Sequence, residues 1–138
     1  MLGKIKNEAS CCNNARSFGN SWTINVLINS QDYSIIDSIF TGNSADFGGG
    51  FIGFNSENLA VLRNVTFTGN SATSSGGGVY LGSVVADVLA ENCSFVDNYA
   101  GSNGGAVYAS SVSSLVVSGS HFLTNEAGVD GGAVMYSG

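Results

Sequence analysis

Residues 94–110 read SFVDNYAGSNGGAVYAS. A Phe, an Asn three residues on, and a Gly pair ahead of Val and Tyr make an odd order for a helix or an isolated hairpin. The order recurs. Phe40, Phe67, Phe95 and Phe122 are separated by 27, 28 and 27 residues. Three residues after each comes Asn43, Asn70, Asn98 or Asn125, and five after comes Ala45, Ala72, Ala100 or Ala127. Nine and ten after stand Gly49 and Gly50, Gly76 and Gly77, Gly104 and Gly105, Gly131 and Gly132. Twelve after, the residue is β-branched: Ile52, Val79, Val107, Val134. Five before lie Ile35, Leu62, Ala90 and Val117, and three before lie Asp37, Asn64, Asn92 and Gly119. The extra residue of the 28-residue copy is assigned to GSVVAD at 82–87, with no insertion expected between Phe and the β-branched residue.

Within each copy the apolar residues alternate, as in LAVLRNVTF (59–67) and SLVVSGSHF (114–122), in runs too short and too rich in Val, Phe, Ser and Thr for helices. A period near 27 residues then divides into three short strands of roughly nine residues with their corners. Each such coil stacks about 4.8 Å from the last through parallel ladders. The crossover rule makes the winding right-handed. The expected fold is an all-β, right-handed parallel β-helix, a three-sided β-solenoid of four to five coils. In it each Phe stacks inward on the Phe of the next coil. Each Asn turns a corner and bonds the identical Asn one coil away. The Gly pair marks a corner where positive φ or close contact between coils excludes a Cβ.

Outside the repeat, residues 21–39 (SWTINVLINSQDYSIIDSI) read as the tail of a degraded coil, with Asn13 where a Phe would fall. Residues 1–20 read as a lead-in or imperfect cap, and 21–138 as solenoid. The last copy stops at GGAVMYSG in mid-coil, so the chain is expected to be a piece of a longer solenoid, able to self-associate through open ends.

Composition narrows the partners. Charged residues are 10% of the chain, hydrophobic ones 43%, and 20 glycines accompany no proline, so the surface is dressed in Ser, Thr, Asn and Gly. Net charge is −6, and from position 17 onward Arg63 is the one basic residue against nine acids. Nucleic acid and anionic membrane surfaces are disfavoured, because both need a lysine and arginine footprint. MLGKIKNEASCC has no apolar core of a signal peptide, and no apolar run nears the eighteen or so residues of a membrane span. Three cysteines, Cys11, Cys12 and Cys93, give neither a disulfide framework nor a metal spacing.

Phe-x-x-Asn four times and Gly-Gly-Ala-Val twice (104–107 and 131–134) make the chain resemble the repeats of chlamydial polymorphic outer membrane proteins, over residues 40–138 and more loosely over 21–39. The first two copies depart from that pattern, with Gly-Gly-Phe-Ile at 49–52 and Gly-Gly-Gly-Val at 76–79. The resemblance implies a passenger β-helix displayed outside the cell by an autotransporter barrel, with adhesion as its role and a host-surface protein or glycan as partner.

Residues with chemistry to offer are read as structural. Cys93 and His121 resemble a thiol and its base, but their offsets of minus two and minus one put Cys93 inside and His121 outside. Asp32 and Asp87 share an offset two coils apart, while Asp46, Asp97 and Asp130 fall at three different ones, so no glycosidase pair is formed. The Gly corners match neither a phosphate loop nor a calcium repeat. Asn64-Val65-Thr66 and Asn92-Cys93-Ser94 are glycosylation sequons read instead as internal ladder sites. Thr66 and Thr68 imitate an ice-binding row, which Ile39 and Val96 interrupt. Arg63 and Glu91, both at minus four, are expected to pair across the ladder.

The functional expectation is a non-catalytic segment, with no cofactor and no metal, of a secreted or cell-surface protein that presents a polar surface for adhesion or for protein or glycan contact. The alternative is a fragment of a β-helical polysaccharide lyase or glycoside hydrolase whose catalytic coils lie elsewhere. A spacer without a ligand is a third reading.

Overall fold

The computed structural model describes residues 15–16, 24–27, 33–54, 59–82 and 87–138, and among them every regular element is a strand. One turn shows the plan. Leu59–Arg63 leads into Thr66–Thr68, then Ser71–Ala72, then Val79–Gly82, after which Asp87–Glu91 lies beside Leu59–Arg63 and the cycle repeats. The Val79–Gly82 sheet has six strands and the other three sheets four each. Every pairing is parallel except the first, where Ala15–Arg16 runs antiparallel to Ile24–Leu27. The chain is a parallel β-solenoid of about four turns.

The register is set by identical residues. Phe40, Phe67, Phe95 and Phe122 are successive Cα partners. So are Ile35, Leu62, Ala90 and Val117, and likewise Ala45, Ala72, Ala100 and Ala127. All point into the column, where period-2 alternation sends one side chain inward for each that faces water. The phenyl rings stack at centroid spacings of 4.9, 5.1 and 4.8 Å with planes within 9° of parallel. That spacing matches the rise between parallel strands, so the ladder itself dictates the stack. Burial of one such ring contributes about 1.5–3 kcal/mol. Leu62, Val65, Val79, Leu81 and Val88 fill the rest of the interior.

Two features differ from the sequence reading. A coil carries four strands where three are expected, because the apparent strand LAVLRNVTF is broken at Asn64. There the backbone turns through φ 55°, and Asp37, Asn92 and Gly119 do the same at φ 50°, 52° and 58°. Asn, Asp and Gly are the residues that enter this left-handed region at least cost, which explains why that offset holds nothing else.

The second difference is a one-residue slip in the first copy. Phe51, not Ile52, is the partner of Val79, and Ile52 aligns with the outward Tyr80. The glycines shift with it: Gly48 (φ 56°) is equivalent to Gly76 (φ 72°), Gly104 (φ 64°) and Gly131 (φ 62°), so Gly49 aligns with Gly77 and Gly50 with Gly78. The interval between Phe and the inward strand therefore does change length, by one residue in the corner before the glycines. The extra residue of the second coil relative to the third falls between Gly82 and Asp87, inside the segment assigned to it.

Cys11, Cys12, Asn13 and Asp32, with most of the lead-in over residues 1–20, lie outside the described residues.

Candidate functional surface

Repeated residues are consumed by the interior. Asn70 is fully buried, and its amide uses every hydrogen-bonding position. Its Nδ2 donates to the Phe40 carbonyl and to Asn98 Oδ1, both at 3.0 Å, while its Oδ1 accepts from Asn43 N (3.1 Å) and Nδ2 (2.9 Å). Asn98 repeats the pattern, donating to the Phe67 carbonyl and to Asn125 Oδ1, both at 2.9 Å, and accepting from Asn70 N and Nδ2. A buried amide costs nothing net only when all its partners are present, and this ladder supplies them from neighbouring coils. The corner ahead of each Asn is closed by Gly42, Gly69, Asp97 or Thr124, all at φ between 52° and 63°.

The Gly pair divides two tasks. The first member takes the positive φ. The second has ordinary φ but no room: a Cβ on Gly77 would fall 2.2 Å from the Gly105 carbonyl oxygen and 2.4 Å from that of Tyr99. Neither glycine presents a cradle of free N–H groups, since Gly76 N and Gly77 N donate to the carbonyls of Asn103 and Gly104.

Cys93, just ahead of the strand Ser94–Val96, is buried, and His121, at the start of His121–Leu123, is exposed. The thiol donates to the Glu91 carbonyl at 3.4 Å and the Leu62 carbonyl at 3.5 Å, and burial pushes its ionisation up. It is held as a neutral thiol. Ser120 at the same offset bonds the Ser118 and Ala90 carbonyls in the same way, at 3.1 and 3.4 Å, and Ser38 bonds the Ile36 carbonyl at 2.9 Å. Ser38, Cys93 and Ser120 share this inward offset with Val65, and each of the three bonds the carbonyl two residues before it, a role not read from the sequence.

Three aspartates accept coil-to-coil bonds. Asp46 accepts from Thr73 Oγ1 at 3.0 Å, Asp97 accepts from Thr124 Oγ1, and Asp37 accepts from Asn64 Nδ2 at 3.0 Å. Asp87 sits beside Leu59, and Asp130 donates its N–H to Asn103 Oδ1 at 3.2 Å. No group of three or more His, Cys, Asp and Glu among the described residues has metal-binding geometry. Arg63 and Glu91 meet as Cα partners with Nε to Oε2 at 2.7 Å. Asn64 and Asn92, read as internal, stand at exposed corners, although Asn64 does make the coil-to-coil bond expected of it.

What remains outward varies from coil to coil. One row of the Thr66–Thr68 sheet runs Ile39, Thr66, Ser94, His121, and the next runs Thr41, Thr68, Val96, Leu123. On the Leu59–Arg63 sheet an aliphatic row, Val61, Leu89 and Val116, follows Ser34. On the Val79–Gly82 sheet the outward row is Tyr80, Tyr108 and Met135, with the buried Ile52 in register before them. Together these rows make a mosaic of polar, aliphatic and aromatic side chains. Among the described residues no helix is long and apolar enough to cross a membrane.

Residues 64–82 and 92–110 match the family model of the Chlamydia polymorphic membrane protein repeat. Each match opens at a left-handed Asn corner, spans Phe, Asn and the glycines, and closes on the strand that begins with Val79 or Val107. Searches of curated proteins and of solved structures returned no significant match. Two successive coils of the chain, over residues 64–82 and 92–110, are thus similar to polymorphic membrane protein repeats of the chlamydial type.

Proposed function

We propose that this solenoid is a non-catalytic segment of a secreted or cell-surface protein, exposed as the passenger of an autotransporter, and that its outward rows make adhesive contact with a protein or glycan. The observation that carries this reading is the division of labour within a coil. Phe, Asn, Ala and Gly recur at fixed offsets and are used up by packing and ladders, whereas the outward chemistry changes at each step. A column whose interior is constant and whose exterior varies is suited to an extended partner surface, since contact area accumulates along repeated units. The repeat match to a membrane-protein family supports surface exposure.

The test is to immobilise the chain and measure binding to a panel of glycans and extracellular-matrix proteins, with polygalacturonate and the same glycans assayed for turnover. Binding without turnover, weakened by Val61→Asp or Val116→Asp with circular dichroism unchanged, is the expected result. Turnover overturns the proposal in favour of a carbohydrate-active enzyme, and absence of both leaves a spacer.

A further inference from the structure

Tyr80 and Tyr108 are Cα partners on successive strands of the Val79–Gly82 sheet and share an outward position. Their rings stack with centroids 5.1 Å apart and planes 16° from parallel. The Tyr80 ring is held from two further sides. Phe47 meets it edge-on at 5.1 Å and 65°. Beneath it lies Gly82, where a Cβ would fall 2.3 Å from Tyr80 Cε1 and 2.8 Å from its hydroxyl oxygen, so the ring lies down along its own strand. Burial, and then the neighbouring Tyr108, push the ionisation of Tyr80 up, which places the two phenols in each other's field. Both rings remain half-buried and so reach solvent on one side. Among the described side chains, the other tyrosines have no such neighbour: Tyr99 lies between Ser71 and Glu126, and Tyr136 beside Ala109.

We propose that Tyr80 and Tyr108 form a site of oxidative phenolic coupling, in which a one-electron oxidant of the haem-peroxidase and hydrogen-peroxide class joins successive coils through an intramolecular dityrosine. Each phenol gives up one electron and its hydroxyl proton, leaving two phenoxyl radicals. Their ortho carbons form a C–C bond, and the hydrogens on those carbons move to the oxygens as the rings become aromatic again. The two electrons and two protons reduce one hydrogen peroxide to two waters. The fold contributes proximity: two rings kept in parallel at one ladder rise are already an encounter pair, so coupling within the chain outruns coupling between chains. The product ties one coil to the next on the outer face and leaves the interior stack untouched.

The experiment treats the full chain, at low concentration, with a haem peroxidase and hydrogen peroxide, and follows dityrosine fluorescence, intact mass and peptide mapping. The expected result is a monomer lighter by two hydrogens, with residues 80 and 108 in one cross-linked peptide. The signal falls to background in Tyr80→Phe and in Tyr108→Phe, which keep ring volume, and persists in Tyr99→Phe. The same treatment in urea, where the ladder is lost, gives no 80–108 product. No monomeric cross-link, cross-linked dimers alone, a product that survives Tyr108→Phe, or equal yield from the unfolded chain each overturns the proposal.

Discussion

Arg63 Nε donates to Glu91 Oε2 at 2.7 Å, one coil to the next, from the same outward offset of their strands. Both side chains are well exposed, so water and salt screen the pair. A double-mutant cycle of Arg63→Ala and Glu91→Ala should give a coupling of about 0.2–1 kcal/mol, smaller at high ionic strength. A coupling of zero at low salt would mean that the ion pair does not persist in solution.

Phe95 has a ring stacked on each side, Phe67 and Phe122, and no exposure. Its truncation opens a cavity that neither neighbour can close, because their own ladders fix them. Phe95→Ala should cost about 3–5 kcal/mol in chemical denaturation. Phe122→Ala, in the last coil and half-buried, should cost less.

Asn98→Ala removes the acceptor of Asn70 N and Nδ2 and the donor to the Phe67 carbonyl at once. Each buried group left without a partner costs about 1–3 kcal/mol, so this small substitution should rival the loss of a phenyl ring. Asn43→Ala, at a half-buried position where Asn70 keeps its bonds to Phe40 and Asn98, should be the milder change. Equal effects on the denaturation midpoint would contradict a ladder whose interior rungs carry the load.

Two glycines separate conformational strain from crowding. Gly69 has φ 62° and open space around a would-be Cβ, so Gly69→Ala should cost about 1–2 kcal/mol from the left-handed backbone alone. Gly77 has the backbone oxygens of Gly105 and Tyr99, both in the next coil, within 2.4 Å of a would-be Cβ, and Gly77→Ala must push coils apart. The second variant should show lower amide protection in both adjoining coils, and the first should not.

Cys93→Ser should be close to neutral, since Ser120 shows that a hydroxyl makes the same carbonyl bonds at this offset. The native thiol also gives stability a pH dependence. Burial raises its ionisation above the ordinary 9.0, so above that pH the unfolded chain releases a proton that the folded chain retains. Its contribution is whole below pH 9.0 and is lost as pH rises from there through the raised folded value. Alkaline denaturation of the native chain against Cys93→Ser, both carrying Cys11→Ser and Cys12→Ser, should show the native thiol losing more between neutral and high pH.

The fold and most of its register could be read from the chain because one solenoid position is reported four times over. A single Phe-x-x-Asn says little, but four in step fix which residues are stacked, and they led directly to the Arg63 and Glu91 pair. The slip at Phe51 escaped because three glycines in a row, Gly48 to Gly50, let the glycine pair be laid on the copy in two ways, and Ile52 looked as suitable inside as Val79. The break at Asn64 escaped because Asn serves equally as a ladder rung and as a left-handed corner, although the inward phase skips there, from Leu62 to Val65. The Tyr80 and Tyr108 stack was legible as a shared offset, yet the side supports from Phe47 and Gly82 come from a preceding coil and a later strand position, which no single motif contains.

The asparagine ladder has a sense of direction: the amide carbonyls of Asn70, Asn98 and Asn125 each receive from the coil before. Every joint is thus the same joint, and a coil cut out or copied in whole finds compatible edges above and below. Gene duplication and unequal recombination can lengthen or shorten such a rod in single-coil steps without redesigning its core, while each new copy brings a fresh set of outer side chains for selection to alter.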